Sequence, residues 1–148
     1  MSDPNYQIRA YSEDDKNYVT ELMEQLCTVY NVEFNKERWK KSLEEKIQIS
    51  DFTQLLVAEM EGKIVGMLVA DIRRGGNGRA GYLTNLIVAP DFRNLGVGES
   101  LINEAMEFFK SNHVTTVKVN VRIKNESAMK LFAKLGFKEH IIQLERTI

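Results

Sequence analysis

The sequence predicts a single α/β domain over residues 1–148, in which helices flank a central mixed, mostly antiparallel sheet. Its length of 148 residues suits one hydrophobic core. Apolar side chains alternate with polar ones in some segments, as in strands, and recur every three or four residues in others, as in helices. One helical segment joins two strand-like segments, which is the connection of a parallel pair. The predicted order is β-α-α-β-β-β-α-β-α-β.

The first third of the chain predicts one strand followed by two helices. Residues 6–11 alternate weakly and lead to Ser12, which stands three residues before Asp15 in the pattern of a helix N-cap. The helix that follows is expected to end near Tyr30, with one apolar stripe formed by Val19, Leu22, Met23, Leu26, Val29 and Tyr30. The second helix is expected over residues 35–49, with Trp39, Leu43 and Ile47 on one face.

The remainder predicts three antiparallel strands and then a β-α-β crossover. The hairpin strands are residues 54–60 and 64–72, joined by a short turn at Gly62. Glycines make residues 74–79 a predicted loop, and the next strand is 82–88. The predicted elements after it are a helix from near Val97 to Asn112, a strand over 116–121, a helix over 127–135 that Gly136 ends, and a last strand over 137–148.

Composition and charge exclude several classes of protein. Hydrophobic residues make up 43% of the chain and charged residues 28%, which is typical of a soluble globular protein and not of a disordered one. The net charge of −1 lacks the positive excess of a nucleic-acid-binding protein. No apolar run is long enough for a membrane span, and the N-terminus lacks the pattern of a signal peptide. We therefore expect a cytoplasmic protein that binds neither nucleic acid nor membrane.

Cys27 is the single cysteine of the chain. It can form neither an intrachain disulfide nor a cysteine-based metal site, which fits a reducing compartment. A free cysteine can serve as a nucleophile or as a small hydrophobic side chain in the core. Because Cys27 lies on the apolar side of a helical pattern, the core interpretation is favoured.

The most informative segment is the turn over residues 93–100, where Gly96 and Gly98 stand between a predicted strand and a predicted helix. Without Cβ atoms at these positions, successive backbone N–H groups can converge on one point. The helix N-terminus adds roughly half a positive elementary charge, and Arg93 adds a full one. The turn therefore predicts a phosphate or pyrophosphate site, although two glycines also fit a tight turn or close helix–sheet packing.

Two common nucleotide-binding patterns do not fit this turn. The dinucleotide fingerprint needs a small residue where the chain has Leu101, and an acidic residue about 20 positions further on, where it has Asn120. The P-loop needs Lys-Ser or Lys-Thr after its second glycine, and neither follows Gly98. A nicotinamide-dependent reductase is therefore disfavoured.

Two motifs resemble those of a known family. Residues 93–98, Arg-Asn-Leu-Gly-Val-Gly, resemble the Arg/Gln-x-x-Gly-x-Gly/Ala loop of the GNAT superfamily of acetyl-coenzyme A-dependent N-acetyltransferases. Residues 125–137 resemble the second motif of that family, Asn-x-x-Ala-x-x-Leu-Tyr/Phe-x-Lys-x-Gly-Phe. The resemblance is close over residues 82–137, and the predicted element order matches over nearly the whole chain. Residues 5–54 carry no distinctive motif.

The resemblance implies acetyl-CoA as cosubstrate, held along the strand over residues 82–88. Main-chain groups of Leu86, Ile87 and Val88 would pair with the pantetheine where this strand diverges from the next, and the Leu86 N–H would stabilise the oxyanion. The residues implied to surround the pyrophosphate are Arg93, Asn94, Leu95, Gly96, Val97, Gly98, Glu99 and Ser100. Asn125 would contact the pantetheine arm. Phe132 belongs to the same binding set and replaces the tyrosine with which many relatives protonate the leaving thiolate.

The acid–base residues are less clearly predicted. An amine acceptor must lose a proton before it attacks, but residues 82–89 contain no acid, although some family members carry a carboxylate there. Glu33, Glu59, His140 and a water relay are the alternatives for the base. For the proton donor, the alternatives are Tyr82, water, or departure of coenzyme A as the thiolate. Tyr82 fits a role in strand packing equally well.

The charged residues are unevenly distributed along the chain. Residues 1–62 carry 7 basic and 13 acidic side chains, whereas residues 63–148 carry 13 and 8. The basic half contains the expected polyphosphate site. The acidic half supplies the helices that border the acceptor site in the family, so an acidic rim including Glu33 and Glu37 is expected to attract a cationic amine. The alternative is that these acids only solvate exposed helix faces.

The predicted function is an acyltransferase of the N-acetyltransferase type. It would transfer the acetyl group of acetyl-CoA directly to a primary amine of a small molecule or protein, without a metal. A non-catalytic acyl-CoA-binding module is the alternative, suggested by the missing strand carboxylate and by Phe132. The acceptor does not follow from the sequence. Relatives commonly form homodimers, and the sequence neither requires nor excludes one.

Overall fold

The computed structural model describes residues 5–47, 50–76 and 78–148, and within these ranges five strands form one sheet. The strands are β1 Tyr6–Ala10, β2 Thr53–Met60, β3 Lys63–Gly75, β4 Gly78–Val88 and β5 Thr116–Val119. They are arranged in the order β1-β2-β3-β4-β5, with antiparallel neighbours except for the parallel pair of β4 and β5. The predicted α/β fold with a mixed, mostly antiparallel sheet is therefore confirmed.

Four α-helices flank the sheet in the described ranges. They are α1 Lys16–Val29, α2 Lys36–Ser42, α3 Val97–Ser111 and α4 Glu126–Lys134. A 3-10 turn precedes α1, and α2 continues as a π-helical turn over Leu43–Ile47. Residues 48 and 49, predicted to end the second helix, lie outside the described residues. No helix in the described ranges has the length and apolarity that crossing a bilayer requires.

The helices bury apolar side chains on both faces of the sheet. On one face, Val19 and Leu26 of α1 pack with Trp39 of α2, and on the other, Leu101 and Phe109 of α3 are almost fully buried. Each such side chain contributes roughly 1.5–3 kcal/mol when it leaves water. The predicted stripe of α1 holds along most of the helix, but Val29 is 66% exposed because the helix ends there.

Two expectations about the strands are wrong. Residues 137–148, predicted as the last strand, form no helix or strand, and all residues from Lys138 onward are exposed. A strand needs a neighbour for its backbone groups, and this segment has none among the described residues. The predicted loop over 74–79 is largely strand, because β3 and β4 remain paired as far as Gly75 and Gly78. Asn77, between them, lies outside the described residues.

Candidate active site

The fourth strand is irregular near its end. The pairs Met67–Ile87 and Val69–Thr84 leave one residue of β3 opposite two residues of β4. Asn85, one of these two, has a φ of 54°. An extra residue on one strand is a β-bulge, which bends the strand and changes the direction of its main-chain groups. Local sequence patterns show an ordinary strand here, so the bulge was not predicted.

The end of β4 has an edge without a strand partner. The last pair between β4 and β5 is Leu83–Val119, and β5 ends at this pair. β4 continues as far as Val88. The two parallel strands therefore leave an opening beyond Leu83, in which main-chain groups of β4 are accessible.

The alternation of peptide groups identifies which residues face this opening. The Ala89 N–H donates to the Val65 carbonyl of β3 at 2.8 Å. Because successive residues of a strand direct their main-chain groups to opposite edges, Ile87 also faces β3, and Leu86 and Val88 face the open edge. Of the three residues expected to pair with pantetheine, Leu86 and Val88 thus have main-chain groups on the open side, whereas those of Ile87 bond within the sheet.

A cavity of about 330 Å³ lies at the opening. Its lining comes from the sheet (Leu68, Leu83, Thr84, Asn85, Leu86), from the end of β5 and α4 (Val119, Asn120, Val121, Asn125, Ala128, Phe132) and from α1 and the residues after it (Met23, Leu26, Cys27, Tyr30, Val32). This volume is at the lower end of the range for small-molecule sites. The lining residues include no Asp, Glu, His, Lys or Arg, so the cavity is apolar apart from amide, hydroxyl and thiol groups.

The turn between β4 and α3 presents main-chain N–H groups. Gly96 has a φ of 82°, in the left-handed region, and directly precedes the first residue of α3. The N–H groups of residues 94–99 donate to no other group in the described part of the chain. A Cβ at Gly96 would meet only the Tyr6 hydroxyl, at 3.6 Å. Leu95 is exposed, whereas the Val97 side chain is buried in the core, so Val97 offers the turn only its main chain.

Two charged side chains of the turn, Arg93 and Glu99, form hydrogen bonds with residues outside it. Arg93 Nε donates to the Val88 carbonyl at 3.1 Å, which fixes the guanidinium beside the end of β4. Glu99 Oε2 accepts from Lys134 Nζ at 2.9 Å, which neutralises the one acid of the turn. The turn therefore keeps the positive character of Arg93 and of the helix N-terminus.

Tyr6 of β1 also contacts the turn, which sequence patterns did not show. Its hydroxyl donates to the Gly96 carbonyl at 3.2 Å and lies 2.7 Å from Ser100 Oγ. The contact joins residues about 90 positions apart in the chain. No local spacing could have identified it, because β1 reaches the turn only through the packing of the sheet against α3.

Asn125 and Phe132 both line the cavity, as residues of the second motif. Asn125 is the N-cap of α4, and its side-chain oxygen accepts from the Ala128 N–H at 3.1 Å. Phe132 is 5% exposed, and its ring packs edge-on against Phe137, with 5.3 Å between the centroids. The short α4 helix is thus positioned by a cap at one end and an aromatic pair at the other.

The predicted proton donor and bases lie outside the cavity lining. Tyr82 lies between Arg73 and Lys118, with the guanidinium carbon 4.1 Å and the ammonium nitrogen 5.8 Å from its ring centroid. It precedes Leu86 by four residues in β4, with the bulge at Asn85 between them. Among the candidate bases, Glu33 and His140 are exposed, and Glu59 accepts from Arg9 Nε at 3.0 Å.

A charged cluster attaches α1 to the sheet. Arg9 of β1 donates to both carboxylate oxygens of Asp15, at 2.7 and 2.9 Å, and Asp15 accepts from the Ser12 N–H at 2.9 Å. Burial alone would raise the pKa of Asp15, but the hydrogen bonds from Arg9 and Ser12 outweigh it and hold the pKa below its ordinary value.

The described residues contain no group of three His, Cys, Asp or Glu side chains arranged to hold a metal ion.

Comparison with known proteins gives a consistent set of relatives. A family model described as the acetyltransferase (GNAT) family matches residues 18–137. An uncharacterised N-acetyltransferase of Methanocaldococcus jannaschii is 28% identical over 138 residues, which are 90% of this chain and 61% of that protein. An N-alpha-acetyltransferase of Sulfurisphaera tokodaii is 32% identical over 92 residues, 56% of this chain and 55% of that protein. The chain thus spans less than two thirds of the length of these two relatives.

The fold is also similar to that of solved structures. An aminoglycoside N-acetyltransferase solved in complex with CoA matches with a TM-score of 0.85 at 21% identity, over 97% of this chain and 95% of that one. At this level of identity the likeness shows a shared fold, which agrees with the sheet order and helices described above.

Proposed function

Because the chain belongs to the GNAT acetyltransferase family, we propose that it is an N-acetyltransferase that transfers the acetyl group of acetyl-CoA directly to a primary amine of a small molecule or protein. Residues 1–148 would form one acetyltransferase domain, acting in the cytoplasm, where a lone buried thiol such as Cys27 stays reduced. The observation that carries the proposal is the continuity between the open edge of β4 and the N–H-rich turn after it.

The residues of the turn fit the phosphates of coenzyme A. The free N–H groups of residues 94–99 and the N-terminus of α3 favour an anion, and Arg93 adds a full positive charge beside them. Gly96 leaves the space in front of the turn unoccupied. A Cβ at Gly98 would lie 3.5 Å from Leu131 of α4 and 4.0 Å from Val88 of β4, so Gly98 sits between α4 and the end of β4. Asn94, Leu95, Val97, Glu99 and Ser100 complete the proposed pyrophosphate site.

The open edge of β4 fits the pantetheine arm. An extended chain with amide groups can add to a strand edge as another strand would, and Leu86 and Val88 direct their main-chain groups to that edge. The Val88 carbonyl already accepts from Arg93. Asn125 and Phe132, across the cavity, would contact the same arm. With these contacts, the arm would lie between the sheet and α4, with its end in the cavity.

Bound acetyl-CoA would supply a thioester carbonyl for attack by the amine. The Leu86 N–H would donate to the carbonyl oxygen as negative charge develops there, and the bulge at Asn85 holds this N–H in place in advance. Removal of a comparable donor in other enzymes costs about 2.7–4 kcal/mol of transition-state stabilisation. The apolar lining lowers the local dielectric constant and thereby strengthens this hydrogen bond.

Proton transfer is proposed to use water. The lining residues include no carboxylate or imidazole, and Glu59 is bound to Arg9. Tyr82 is not among the lining residues, and water is therefore preferred to it as the proton donor. We therefore propose that water at the cavity mouth removes the proton of the amine, and that coenzyme A leaves as the thiolate or is protonated by water.

The acceptor is proposed to enter beside α1. Val32, after the end of α1, lines the cavity, and Glu33 follows it with an exposed side chain. Glu33 and Glu37 would form an acidic rim that attracts a cationic amine. The KM of a polycationic acceptor should then rise with ionic strength, because salt screens exposed charges. A KM that does not change with salt, with the KM of a neutral amine as reference, would contradict the rim.

Two measurements test the proposed function. Isothermal titration should show binding of coenzyme A and none of NADPH, and thiol release from acetyl-CoA should accelerate with at least one member of an amine panel. Binding without thiol release for every amine would favour an acyl-CoA-binding module instead. No binding of coenzyme A would overturn both the acetyltransferase and the acyl-CoA-binding module.

We also propose that the protein is a homodimer, since its C-terminal segment leaves apolar side chains in solvent.

A further inference from the structure

Basic side chains lie on the α1 side of the sheet, close to the cavity. Val117 and Val119 of β5 pack in the core on the α3 side, so Lys118 between them lies on the α1 side. Lys118 is opposite Tyr82 in the parallel pair of β4 and β5. The Tyr82 ring has the Arg73 guanidinium carbon 4.1 Å and Lys118 Nζ 5.8 Å from its centroid. Two cations therefore share one half-buried tyrosine.

A second contact of this kind lies at the edge of the cavity. Tyr30, the C-cap of α1, lines the cavity, and the Arg122 guanidinium carbon lies 4.5 Å from the centroid of its ring. Arg122 directly follows Val121, another lining residue, and its side chain is exposed. The contact connects the end of α1 with the segment after β5 and fixes a positive charge beside the cavity.

The two contacts are neighbours along the sheet. Thr84 and Asn120 line the cavity, and they follow Tyr82 and Lys118 by two residues each. Two residues of a strand span about 7 Å, and successive side chains on one face are two residues apart. The cations therefore begin next to the cavity and continue from it along the α1 side of the sheet. We name these three side chains the basic stripe (Arg73, Lys118, Arg122).

Acidic side chains neutralise only part of the basic stripe. Arg73 Nε donates to Asp71 Oδ2 at 2.9 Å, and Asp71 Oδ1 accepts from Thr53 Oγ1 at 2.8 Å. Lys118 and Arg122 form no ion pair with another described residue. Two cations held against aromatic rings beside a cavity produce a positive potential at its entrance. An anionic group bound there would supply the charge partner that Lys118 and Arg122 lack.

We propose that the acceptor carries a carboxylate or phosphate group near its primary amine, and that the basic stripe binds this group. The proposal rests on the proposed acetyl transfer, because it names the class of amine that enters the same cavity. The amine would lie at the thioester beside Leu86, and Lys118 and Arg122 would bind the anionic group outside the apolar lining. Such an acceptor is a zwitterion, so the acidic rim of Glu33 and Glu37 would attract its other charge.

Coenzyme A is not the expected ligand of the basic stripe. Its phosphates are proposed to bind the turn over residues 93–100, which follows the end of β4 at Val88. The edge proposed for the pantetheine arm begins beyond Leu83 and leads toward that turn. Tyr82 and Lys118 lie in the opposite direction from Leu86 along the strands. They are therefore on the far side of the thioester from the phosphates, where the acceptor is expected.

The first experiment compares acceptors that differ in charge. Each anionic amine is paired with a neutral one of similar size: 4-aminobutanoate with butylamine, O-phosphoethanolamine with ethanolamine, and a tetrapeptide with two glutamates after its first residue with its glutamine counterpart. We expect a higher kcat/KM of thiol release for the anionic member, and the pair with the larger ratio identifies a small acceptor or a peptide. If every neutral amine reacts at least as well as its anionic counterpart, the proposal is wrong although acetyl transfer stands. No thiol release with any amine would overturn acetyl transfer, and this proposal with it.

Charge-reversal variants test which residues bind the anionic group. Lys118→Glu and Arg122→Glu should each raise the KM of the preferred anionic acceptor by about tenfold, since a like charge then faces it. The KM of acetyl-CoA and that of the neutral amine should not change. Lys110→Glu is the matched control, because it makes the same change in net charge at an exposed residue of α3.

Two results of this comparison would contradict the basic stripe. The first is an unchanged KM of the anionic acceptor in both variants, and the second is an equal rise in Lys110→Glu, which would show an effect of net charge alone. If a glutamate variant does not fold, the glutamine variants Lys118→Gln and Arg122→Gln replace it. They remove one charge without adding another, and the same KM should then rise by about two- to fivefold.

Discussion

The two sides of the proposed site are built from different parts of the polypeptide. One side, the main-chain wall, is formed by the end of β4 and the turn before α3 and presents main-chain groups, at Leu86, Val88 and residues 94–99. The wall formed by α1 presents side chains, such as Met23 and Tyr30. A site made of main-chain groups depends on dihedral angles that only certain residues allow, and it therefore leaves a motif in the sequence. A wall of packed apolar side chains accepts many sequences and leaves none.

The largest expected effect is on the main-chain wall, at Gly96. Gly96→Glu places a side chain and a negative charge in front of the N–H groups of the turn, where the pyrophosphate is proposed to bind. We expect loss of measurable coenzyme A binding in a protein that remains folded. Isothermal titration and circular dichroism measure the two properties separately.

Gly96→Ala is the matched control for the strain of the backbone. At a φ of 82°, any side chain costs about 1–2 kcal/mol, but a methyl group would only contact the Tyr6 hydroxyl at 3.6 Å. The alanine variant should lose stability and retain most of its affinity. If the Gly96→Glu variant binds coenzyme A as tightly as the natural protein does, the proposed pyrophosphate site is wrong.

The next largest effect is expected at the support of the α1 wall. Asp15→Asn removes the carboxylate that accepts two hydrogen bonds from Arg9, and we expect a loss of about 1–3 kcal/mol in the free energy of unfolding near neutral pH. Urea denaturation measures it. Asp14→Asn is the matched control, because Asp14 is an exposed neighbour, and it should cause no measurable change.

The pH dependence gives this prediction a second readout. The pKa of Asp15 lies below its ordinary value in the folded protein, so its ionised form stabilises the fold. That stabilisation is complete above the unfolded pKa of about 3.9 and is lost as the pH falls through the lower folded pKa. The difference between the natural protein and Asp15→Asn should therefore be constant near neutral pH and shrink below about pH 4. A difference that stays constant in acid would show that the charge of Asp15 is not its cause.

The contrast between the main-chain wall and the α1 wall explains which features could be predicted from the sequence. The turn at Gly96 and Gly98 and the start of α3 at Val97 were predicted from adjacent residues, because the dihedral angles that define them are local. The capping pattern of Ser12 and Asp15 was predicted for the same reason. The strand over 137–148 was predicted wrongly, since alternation shows that a segment can pair but not that a neighbour exists in the same chain.

Contacts between distant residues could not be predicted. The cluster of Arg9, Asp15 and Glu59 joins three separate elements, and the early end of β5 depends on where the chain leaves the sheet. The first third of the chain contains a helix pattern but no motif. Only the family resemblance indicates that its helices border the acceptor site, and the α1 side chains that line the cavity could not be predicted.

A smaller effect is expected where the first strand contacts the main-chain wall. Tyr6→Phe removes the hydroxyl that bonds the Gly96 carbonyl and Ser100, a loss of about 0.5–1.5 kcal/mol. If the hydroxyl holds the turn in its binding conformation, the Kd of coenzyme A should rise by up to about tenfold. Tyr18→Phe, the same change at a residue 37% exposed on α1, is the control. Equal Kd values for the two variants would show that Tyr6 does not position the turn.

The smallest effect is expected at Phe132, between the two walls. If water or direct departure of the thiolate completes the reaction, Phe132→Tyr should leave kcat unchanged or raise it, because the added phenol becomes a further proton donor in the cavity. Stopped-flow thiol release measures kcat. Phe109→Tyr is the reference variant, because it adds a hydroxyl where the core has no space for one. Phe109 is 1% exposed, and a Cβ on Gly81 would lie only 2.7 Å from its ring.

Phe109→Tyr and Phe132→Tyr should therefore differ in their free energy of unfolding. Phe109→Tyr buries an unpaired hydroxyl and should lose about 1–3 kcal/mol, whereas the Phe132→Tyr hydroxyl can reach the cavity and should cost less. If Phe132→Tyr abolishes activity and loses as much stability as Phe109→Tyr, then Phe132 belongs to the packed core against Phe137 and not to the thioester site. In that case the leaving thiolate must be accommodated elsewhere along the open edge of β4, on the main-chain wall alone.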